Sequence, residues 1–428
     1  MRLNEFGRLS LRLLAGFAIG AGLGLLVRAF PFPHEWLTLA ARWAGEIFLR
    51  SIFMLILPLI IPTLLLGLQR LAETGAIGRI GLPTLLTVVT LTTIAATIGL
   101  VLANLIAPAH LLSASARTAL IERFGQSVPT SRSLTHELFL NLIPKNPFYE
   151  IANAFTPNQQ GGLLAVVLFT IAFGIALTHL PSETTRGFYH LLEVIYEATV
   201  WLLRRILKWL GPLGVGGLIF QAVEGLGWEI FPLLSAYAAT VALGLLLHGA
   251  GVYSLFLWLF SKVSPLALLR GSMPALVLAF SSASSNATLP TTLEIATRRL
   301  GIAAPVAQFI LTLGATVNQN GTALYEGVTL LFLMQVFGVP LSGGEQLLLI
   351  GLAVLIAIGA AGVPGGSLPL LAGVLPAFGV PPGAIALIYG IDRFLDMLRT
   401  TVNVYGDIVI ATYIHRLSYG NPPDASKR

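Results

Sequence analysis

The chain has 428 residues, of which 55% are hydrophobic and only 10% are charged, and it contains no cysteine. Soluble domains carry about 25% charged residues. The 25 Lys and Arg and 19 Asp and Glu residues of this chain cannot cover the surface of a soluble fold of its length. Most of the chain is therefore predicted to face lipid, which excludes a soluble enzyme. Disulfides and thiolate metal sites are excluded by the lack of cysteine.

Apolar segments long enough to cross a bilayer occur throughout the chain, since a span needs roughly 20 apolar residues. Six conventional spans are predicted, at residues 9–30, 46–69, 82–108, 161–181, 194–224 and 231–260. A more polar stretch separates the third from the fourth, at 109–160. Four further segments are interrupted by small and polar residues, at 264–297, 301–335, 342–377 and 382–414.

Basic residues indicate how these spans are oriented. They precede the first span, follow the second, flank the fifth, follow the sixth and end the chain, whereas the connections at 224–230, 340–346 and 376–384 contain neither Lys nor Arg. Because Lys and Arg concentrate in cytoplasmic loops, both termini are predicted to be cytoplasmic. The basic residues of these loops explain the net charge of +6, so the charge is not taken as a sign of nucleic-acid binding. Basic residues within 109–160 do not fit this scheme, so its placement stays open.

The last predicted span, IDRFLDMLRTTVNVYGDIVIA at 391–411, carries the strongest functional signal. Polar side chains recur at spacings of three or four and form one stripe on a helix: Asp392, Asp396, Arg399, Asn403 and Asp407. Each charge at mid-bilayer costs about 2.5–3.5 kcal/mol, so the stripe must face partner charges, a polar cavity or a ligand. An internal ion-pair ladder is one interpretation, and we prefer it for Arg393. For Arg399 we favour an anion site, because guanidinium binds carboxylate in a planar, bidentate geometry.

A second polar stretch, TVNQNGTALYEG at 316–327, places three consecutive amides and a glycine within an apolar span. This pattern predicts an unwound helix whose free carbonyl groups can bind a ligand. Asn318, Thr322 and Glu326 share one helical face. A carboxyl group in apolar surroundings is most stable when neutral, which suits a proton carrier at Glu326. The alternative is a Glu326 paired with an arginine or a hydroxyl group.

Two interrupted segments predict re-entrant hairpins, FSSASSNATLP at 280–290 and AAGVPGGSLP at 360–369. A pair of broken segments is typical of a transporter's midplane site. Small residues at these positions also allow close helix packing, which is the alternative explanation. The sequence contains no HExxH, P-loop or G-x-S-x-G motif, so metalloprotease, ATP-driven and serine hydrolase chemistry is not indicated.

These motifs resemble those of the dicarboxylate/amino acid:cation symporter family, which includes the glutamate transporter homologues. The resemblance rests on DRFLDMLRTTVNVYGD (392–407), NQNGTALYEG (318–327), SSASSNATLP (281–290) and AGVPGG (361–366), with a weaker match at PKNPFYEIANA (144–154). It implies an all-α polytopic membrane protein with eight transmembrane helices, two re-entrant hairpins, an elevator mechanism and a homotrimer. The implied scaffold comprises 1–81 and 109–226, the implied transport domain comprises 82–108 and 227–416, and a cytoplasmic tail covers 417–428.

The resemblance also implies roles for individual residues. Arg399 would bind the side-chain carboxylate of the substrate and Asp396 its amino group. The main-chain carboxylate would be held by Asn403, Ser285, Thr400 and Thr322, with a gating tip formed by Gly362, Val363, Pro364 and Gly365. Asp396 favours an amino acid over a plain C4-dicarboxylate, which has no ammonium group. Arg399 disfavours a neutral amino acid, which would leave the guanidinium unpaired.

Departures from the family pattern fall at its cation sites. Asn320 stands where the family has Asp and Gln319 where it has Met, while Val88, Leu91, Ala357 and Ala360 replace oxygen-bearing residues. Because hard cations need oxygen ligands, sodium coupling is predicted to be reduced or absent, with protons carried by Glu326 and Asp407. One residual sodium site remains conceivable around Asp407, Asn403, Asn318 and Gly314.

The prediction from sequence is therefore a proton-coupled symporter that imports aspartate or glutamate across the cell inner membrane, without a cofactor. Its alternatives are a C4-dicarboxylate symporter and a sodium-coupled acidic amino acid symporter. From another class, the polar stripe and the hairpins could line an anion channel. An enzyme is disfavoured because no nucleophile and base are paired in the sequence.

Overall fold

The computed structural model describes residues 3–30, 33–75, 80–124, 143–153, 162–359 and 367–420. Every regular element within these ranges is a helix, which confirms the predicted all-α class. The first half contains α1 (Leu3–Ala29), α2 (Glu35–Phe53), α3 (Ile56–Gly75), α4 (Gly81–Ile106), α5 (Ala114–Phe124), α6 (Pro147–Asn153), α7 (Gly162–Thr178), α8 (Ser182–Trp209) and α9 (Gly211–Leu226). The second half contains α10 (Ile230–Leu246), α11 (Pro265–Ser282), α12 (Ser285–Glu294), α13 (Ala304–Val317), α14 (Asn320–Val336), α15 (Gly343–Gly359), α16 (Ser367–Val374) and α17 (Ala386–Tyr419).

Several of these helices have the length and apolar composition of membrane spans. Within the described residues, five stretches qualify, namely Leu11–Ala29, Glu35–Gln69, Gly81–Leu111, Gly227–Ser261 and Pro265–Ser282. A sixth candidate is the bent pair formed by α8 and α9. The protein is thus a multi-pass membrane protein. Helix α17 is 34 residues long but lies outside this set because of its polar side chains.

The predicted span at 194–224 is wrong in its boundaries and in its shape. Helix α8 already begins at Ser182, and the chain bends by 60° between α8 and α9. Pro212, at the start of α9, explains the bend. Proline has no backbone N–H, so the carbonyl of Lys208 loses its helical hydrogen-bond donor and a straight helix cannot continue through this point.

The predicted span at 46–69 also proves longer and interrupted. Helix α2 begins at Glu35, and two irregular residues, Met54 and Leu55, separate it from α3. Pro58 lies four residues after Met54, so it cannot donate the hydrogen bond that the Met54 carbonyl would accept in a regular helix. The two helices still form one candidate span of 35 residues.

Glycines bring α1 and α9 into backbone contact. A Cβ atom at Gly20 would collide with the carbonyl oxygen of Gly216, and one at Gly16 would collide with that of Pro212. Gly24 follows at the same spacing of four and faces Val223. Small residues at this spacing let membrane helices approach closely. The close backbone packing stabilises the helix pair through dispersion.

Both predicted polar interruptions within described residues are present. Helices α11 and α12 pack against each other across a break where Ala283 has a φ of +48° and Ser284 caps α12 by accepting a hydrogen bond from the Ala287 amide. Helices α13 and α14 are separated by Asn318 and Gln319. The tip of the second predicted hairpin, at 360–366, lies outside the described residues.

The two helices richest in functional residues lie at the centre of the protein. In α14, every residue except Gln335 is buried. Helix α17 packs against α14, α13, α11 and α10, and it buries all five members of the predicted polar stripe. Helix α4 also packs closely on α14, where a Cβ atom at Gly99 would collide with the Leu324 carbonyl. The polar stripe therefore faces protein and not lipid.

Candidate functional site

The break between α13 and α14 is tied to α17 through Asn403. Its Oδ1 accepts a hydrogen bond from the Gly321 amide at 2.7 Å, while its Nδ2 donates to Gln319 Oε1 at 2.6 Å and to Thr322 Oγ1 at 3.0 Å. Gly321 allows this approach, because a Cβ atom there would lie 2.6 Å from the Arg399 carbonyl oxygen. The unwound amides predicted from the sequence thus face the polar stripe directly.

Arg399 lies at the centre of a buried charge cluster. Its Nε pairs with Asp396 Oδ1 at 2.9 Å, and its Nη1 lies 3.7 Å from Asp392 Oδ1. The guanidinium carbon lies 4.4 Å from the ring centre of Tyr325, whose hydroxyl donates to Asp392 Oδ1 at 2.7 Å. Arg393 pairs with Asp396 Oδ2 at 3.4 Å, as the ion-pair interpretation predicts for that residue.

The same cluster retains an unused donor. Arg399 Nη1 donates no hydrogen bond to any described residue, although this nitrogen is buried and the residue is 2% exposed. Its ion-pair contact with Asp392 Oδ1, at 3.7 Å, is too long for a hydrogen bond, and a buried N–H without a hydrogen bond is costly. The cluster therefore contains the internal ion pairs of one interpretation of the stripe, and the anion site of the other interpretation stays a prediction.

Glu326 is the most completely buried carboxyl group of the site. It is 0% exposed, and its two oxygens accept no hydrogen bond from any described residue. The Arg399 guanidinium and the Ser367 hydroxyl are its polar neighbours. Glu326 lies one turn after Thr322 on the same buried helix, so the site extends along α14 beyond the break.

Asp407 lies one turn beyond Asn403 and contacts the C-terminal end of α13. Its Oδ1 accepts a hydrogen bond from Asn318 Nδ2 at 2.7 Å, and a Cβ atom at Gly314 would collide with its carboxylate. Asn318 Oδ1 has no hydrogen-bond partner among the described residues. The structure thus brings together Asp407, Asn318 and Gly314. Asn403 lies close along the helix, but its own oxygen is already bonded to Gly321.

Asn320, the residue at which the resemblance predicts a lost cation ligand, lies within a chain of neutral hydrogen bonds. Its Oδ1 accepts from Thr92 Oγ1 at 2.6 Å, and its Nδ2 donates to the Tyr253 hydroxyl at 2.9 Å. Tyr253 in turn donates to the Val402 carbonyl at 3.3 Å. Leu91, beside Thr92, belongs to an apolar cluster that includes Tyr253. Protein groups therefore satisfy the amide that stands at this position.

Two more of the predicted site residues lie on helices that pack together. Ser285, in the first turn of α12, and Thr400, in α17, are both buried, and α12 packs against α17. Neither side chain hydrogen-bonds to another predicted site residue within the described part of the chain. The tip residues lie outside the described residues: Gly362, Val363, Pro364 and Gly365. No cluster of three His, Asp or Glu side chains suited to a metal occurs where the structure is described.

Sequence reasoning missed three residues that the site uses. Tyr325 has a local signal, since it lies three residues after Thr322 and directly before Glu326. Gln319, which the sequence marks as one of the three amides of the break and as a replaced cation ligand, also accepts a hydrogen bond from Asn403. Thr92 and Tyr253 belong to helices without any polar motif, so only the tertiary structure shows their contact with Asn320.

Comparison with known proteins finds similarity to membrane transporters over most of the chain. The model of the sodium:dicarboxylate symporter family matches residues 9–417. The proton/glutamate-aspartate symporter of Escherichia coli is 28% identical, over 95% of this chain and 93% of its own length. Human excitatory amino acid transporter 2 is 30% identical, over 94% of this chain and 78% of its own. The proton/sodium-glutamate symport protein of Bacillus caldotenax is 29% identical, over 92% of this chain and 91% of its own.

Proposed function

The chain belongs to the sodium:dicarboxylate symporter family, and from this premise we propose that it is a secondary active symporter that imports aspartate or glutamate. The buried pair of Arg399 and Asp396 carries the proposal. An acidic amino acid has a side-chain carboxylate for the guanidinium and an ammonium group for the aspartate. A plain dicarboxylate lacks the second group, and a neutral amino acid lacks the first.

Charge balance supports coupling to a cation. Two arginines and two aspartates form the buried cluster, which is formally neutral: Asp392, Arg393, Asp396 and Arg399. An acidic amino acid adds one net negative charge to this low-dielectric interior. Burying an unpaired charge is strongly unfavourable. A cation that enters with the substrate removes this cost, so binding of the two is thermodynamically linked.

We assign the main-chain carboxylate of the substrate to Asn403, Thr322, Ser285 and Thr400. Asn403 and Thr322 are already hydrogen-bonded to each other next to Arg399, which supports their inclusion. Ser285 and Thr400 are buried on helices that pack together. The gating role of Gly362, Val363 and Gly365 follows from the resemblance alone.

We further propose that protons, and not sodium ions, supply the energy. Glu326 is fully buried, and its carboxyl oxygens accept no hydrogen bond from the described residues, an environment that suits a carboxyl group able to exist as a neutral acid. Asp407 is the second carboxyl group able to take a proton. Thr92, Asn320 and Tyr253 bond to one another where a sodium site would need a carboxylate. The E. coli relative is named as a proton symporter.

A group of oxygen atoms beside Gly314 makes sodium-coupled uptake the second candidate. The free Asn318 Oδ1 and the Asp407 carboxylate lie together beside Gly314, and oxygen ligands of this kind suit a hard cation. A relative from Bacillus caldotenax is named as a proton/sodium symport protein. If this site binds sodium, one sodium ion accompanies or replaces the proton.

The remaining features of the proposal come from the resemblance. The transport domain, 82–108 and 227–416, would move as an elevator past a scaffold formed by 1–81 and 109–226. The protein would assemble as a homotrimer in the inner membrane, with both termini and the tail at 417–428 in the cytoplasm. The glycine contact of α1 with α9 lies wholly within the scaffold residues, which agrees with this division.

Transport by purified protein in liposomes tests the proposal. We expect saturable counterflow of labelled aspartate that unlabelled glutamate inhibits and that succinate and serine inhibit weakly. An inward proton gradient should drive accumulation in sodium-free buffer. Strong competition by succinate would favour a C4-dicarboxylate carrier, and accumulation driven only by a sodium gradient would favour the second candidate. A linear flux without counterflow would indicate a channel and contradict symport.

A further inference from the structure

An apolar groove runs along the outer face of α4 and of the helical segment that follows α10, away from the polar site. It encloses about 300 Å³, at the lower end of the roughly 300–1,000 Å³ typical of ligand pockets. Its walls come from the first half of α4, the region that follows α10 up to Ser261, and one residue of α17, and they include Leu86, Thr90, Ile94, Leu255, Phe260 and Tyr413. Leu86 and Leu255 are more than half exposed, so the groove opens toward lipid.

Aromatic rings close one end of this groove. Tyr413 makes edge-to-face contacts with Phe256 at 5.1 Å and with Phe260 at 6.2 Å. Tyrosine and tryptophan concentrate where a membrane protein meets the headgroup region. The π-helical turn at Leu257–Ser261 ends at Lys262, whose φ of +48° reverses the chain at this level. The groove is thus apolar along its length and aromatic at the end nearest Lys262, an order that matches the bilayer interior followed by the headgroup region.

Two basic side chains lie just beyond the aromatic end. Arg416 follows Tyr413 by three residues, and its Nη1 donates to the Phe260 carbonyl at 3.0 Å, which holds the guanidinium at the mouth of the groove. Lys262 lies two residues after Phe260 in the sequence, and its side chain is exposed. Neither forms an ion pair with a carboxylate of the described residues. The mouth therefore carries positive charge that the described part of the protein does not neutralise.

We propose that the groove binds one anionic phospholipid, with an acyl chain between α4 and the segment after α10 and the phosphate at Lys262 and Arg416. The apolar walls match the chain, and the two cations match a negatively charged headgroup. Basic pockets between membrane helices select anionic lipids in this manner. Because α4, the segment after α10 and α17 all supply walls, the lipid would bridge three helices. This inference does not depend on the transported substrate.

Quenching by brominated lipids tests the site directly. Since the chain has no cysteine, Thr90→Cys provides a single thiol in the groove for a bimane label. Thr93→Cys, on the same helix but not in the lining, is also exposed and serves as the control. We expect half-maximal quenching at Thr90→Cys with roughly fivefold less brominated phosphatidylglycerol than brominated phosphatidylcholine. Thr93→Cys should show no such preference.

Charge variants test whether the lipid preference comes from this site or from a general attraction of basic residues to anionic lipids. The preference at Thr90→Cys should disappear when Lys262→Gln and Arg416→Gln are combined, and it should survive in Arg416→Lys. It should also survive in Lys208→Gln, which removes a basic residue at the end of α8. Equal quenching by the two lipids, an equal preference at Thr93→Cys, or an unchanged preference in the double variant would overturn the proposal. If the double variant does not fold, loss of the preference in Lys262→Gln alone supports the site, and its retention there contradicts it.

Discussion

Arg399 and Asp396 form an ion pair, Nε to Oδ1 at 2.9 Å, in which the two side chains are only 3% and 5% exposed. Removing one partner of a buried ion pair leaves an uncompensated charge, which is strongly destabilising. A ligand that separates the two residues must therefore offer an anion to Arg399 and a cation to Asp396. Under the proposed function, this pairing is the reason to expect that an acidic amino acid binds better than a simple anion.

Loss of the guanidinium should abolish recognition of acidic substrates. In Arg399→Gln we expect aspartate counterflow to fall by about two orders of magnitude or more, because truncation of a buried charge pair costs about 2–5 kcal/mol. Arg399→Lys should retain the charge but not the bidentate geometry, and counterflow should fall by about tenfold. Arg298→Gln, in an exposed pair with Glu294, is the control and should transport normally. Normal aspartate uptake by Arg399→Gln would contradict the assignment.

Glu326 should matter for coupling more than for binding. In Glu326→Gln we expect aspartate counterflow at equal pH to persist, because the amide mimics the neutral acid. Accumulation driven by a proton gradient should be lost, because the amide cannot release a proton. Both activities are measured in the same liposome preparation, with Glu294→Gln as an exposed control. Proton-driven accumulation that survives in Glu326→Gln would show that another group carries the proton.

A carboxylate at position 320 should create a need for a cation. Asn320→Asp replaces the amide that donates to Tyr253 with a negative charge in a fully buried position. In sodium-free buffer we expect its apparent melting temperature to fall by several degrees, with partial recovery when sodium is added. Asn104→Asp, at an exposed position of α4, should not respond to sodium. An Asn320→Asp protein whose stability is independent of sodium would weaken the sodium-loss hypothesis.

The close contact between α1 and α9 should not tolerate a single added methyl group. Gly20→Ala places a Cβ atom against the Gly216 carbonyl, and we expect a destabilisation of about 1–3 kcal/mol. Gly22→Ala, two residues along the same helix, meets no atom within 4 Å and should be neutral or stabilising by up to about 1 kcal/mol. Thermal unfolding followed by size-exclusion chromatography measures both. Equal effects of the two variants would argue against this packing.

The helical class and the spans at 9–30, 82–108 and 231–260 were predictable from sequence because of their apolar composition. The polar residues of α14 and α17 could also be singled out, because intramembrane polar residues are rare and stand out in an apolar chain. Helix boundaries were less predictable where a proline removes a backbone hydrogen bond from the preceding turn. Pro212 and Pro58 each interrupt a hydrogen bond four residues earlier, inside segments whose apolar composition is uniform. A hydropathy pattern does not show where one backbone hydrogen-bond donor is missing.

By itself, the sequence determined which residues are the candidates for chemistry, since Arg399, Asp396, Asn403 and Glu326 are too costly in a bilayer to lack a polar partner or a function. Only the tertiary structure decided what those partners are. It places the guanidinium of Arg399 in α17 against the ring of Tyr325 in α14, with the guanidinium carbon 4.4 Å from the ring centre. Contacts of this kind join helices far apart in the chain. Their geometry depends on how those helices pack, which periodicity along a single helix does not specify.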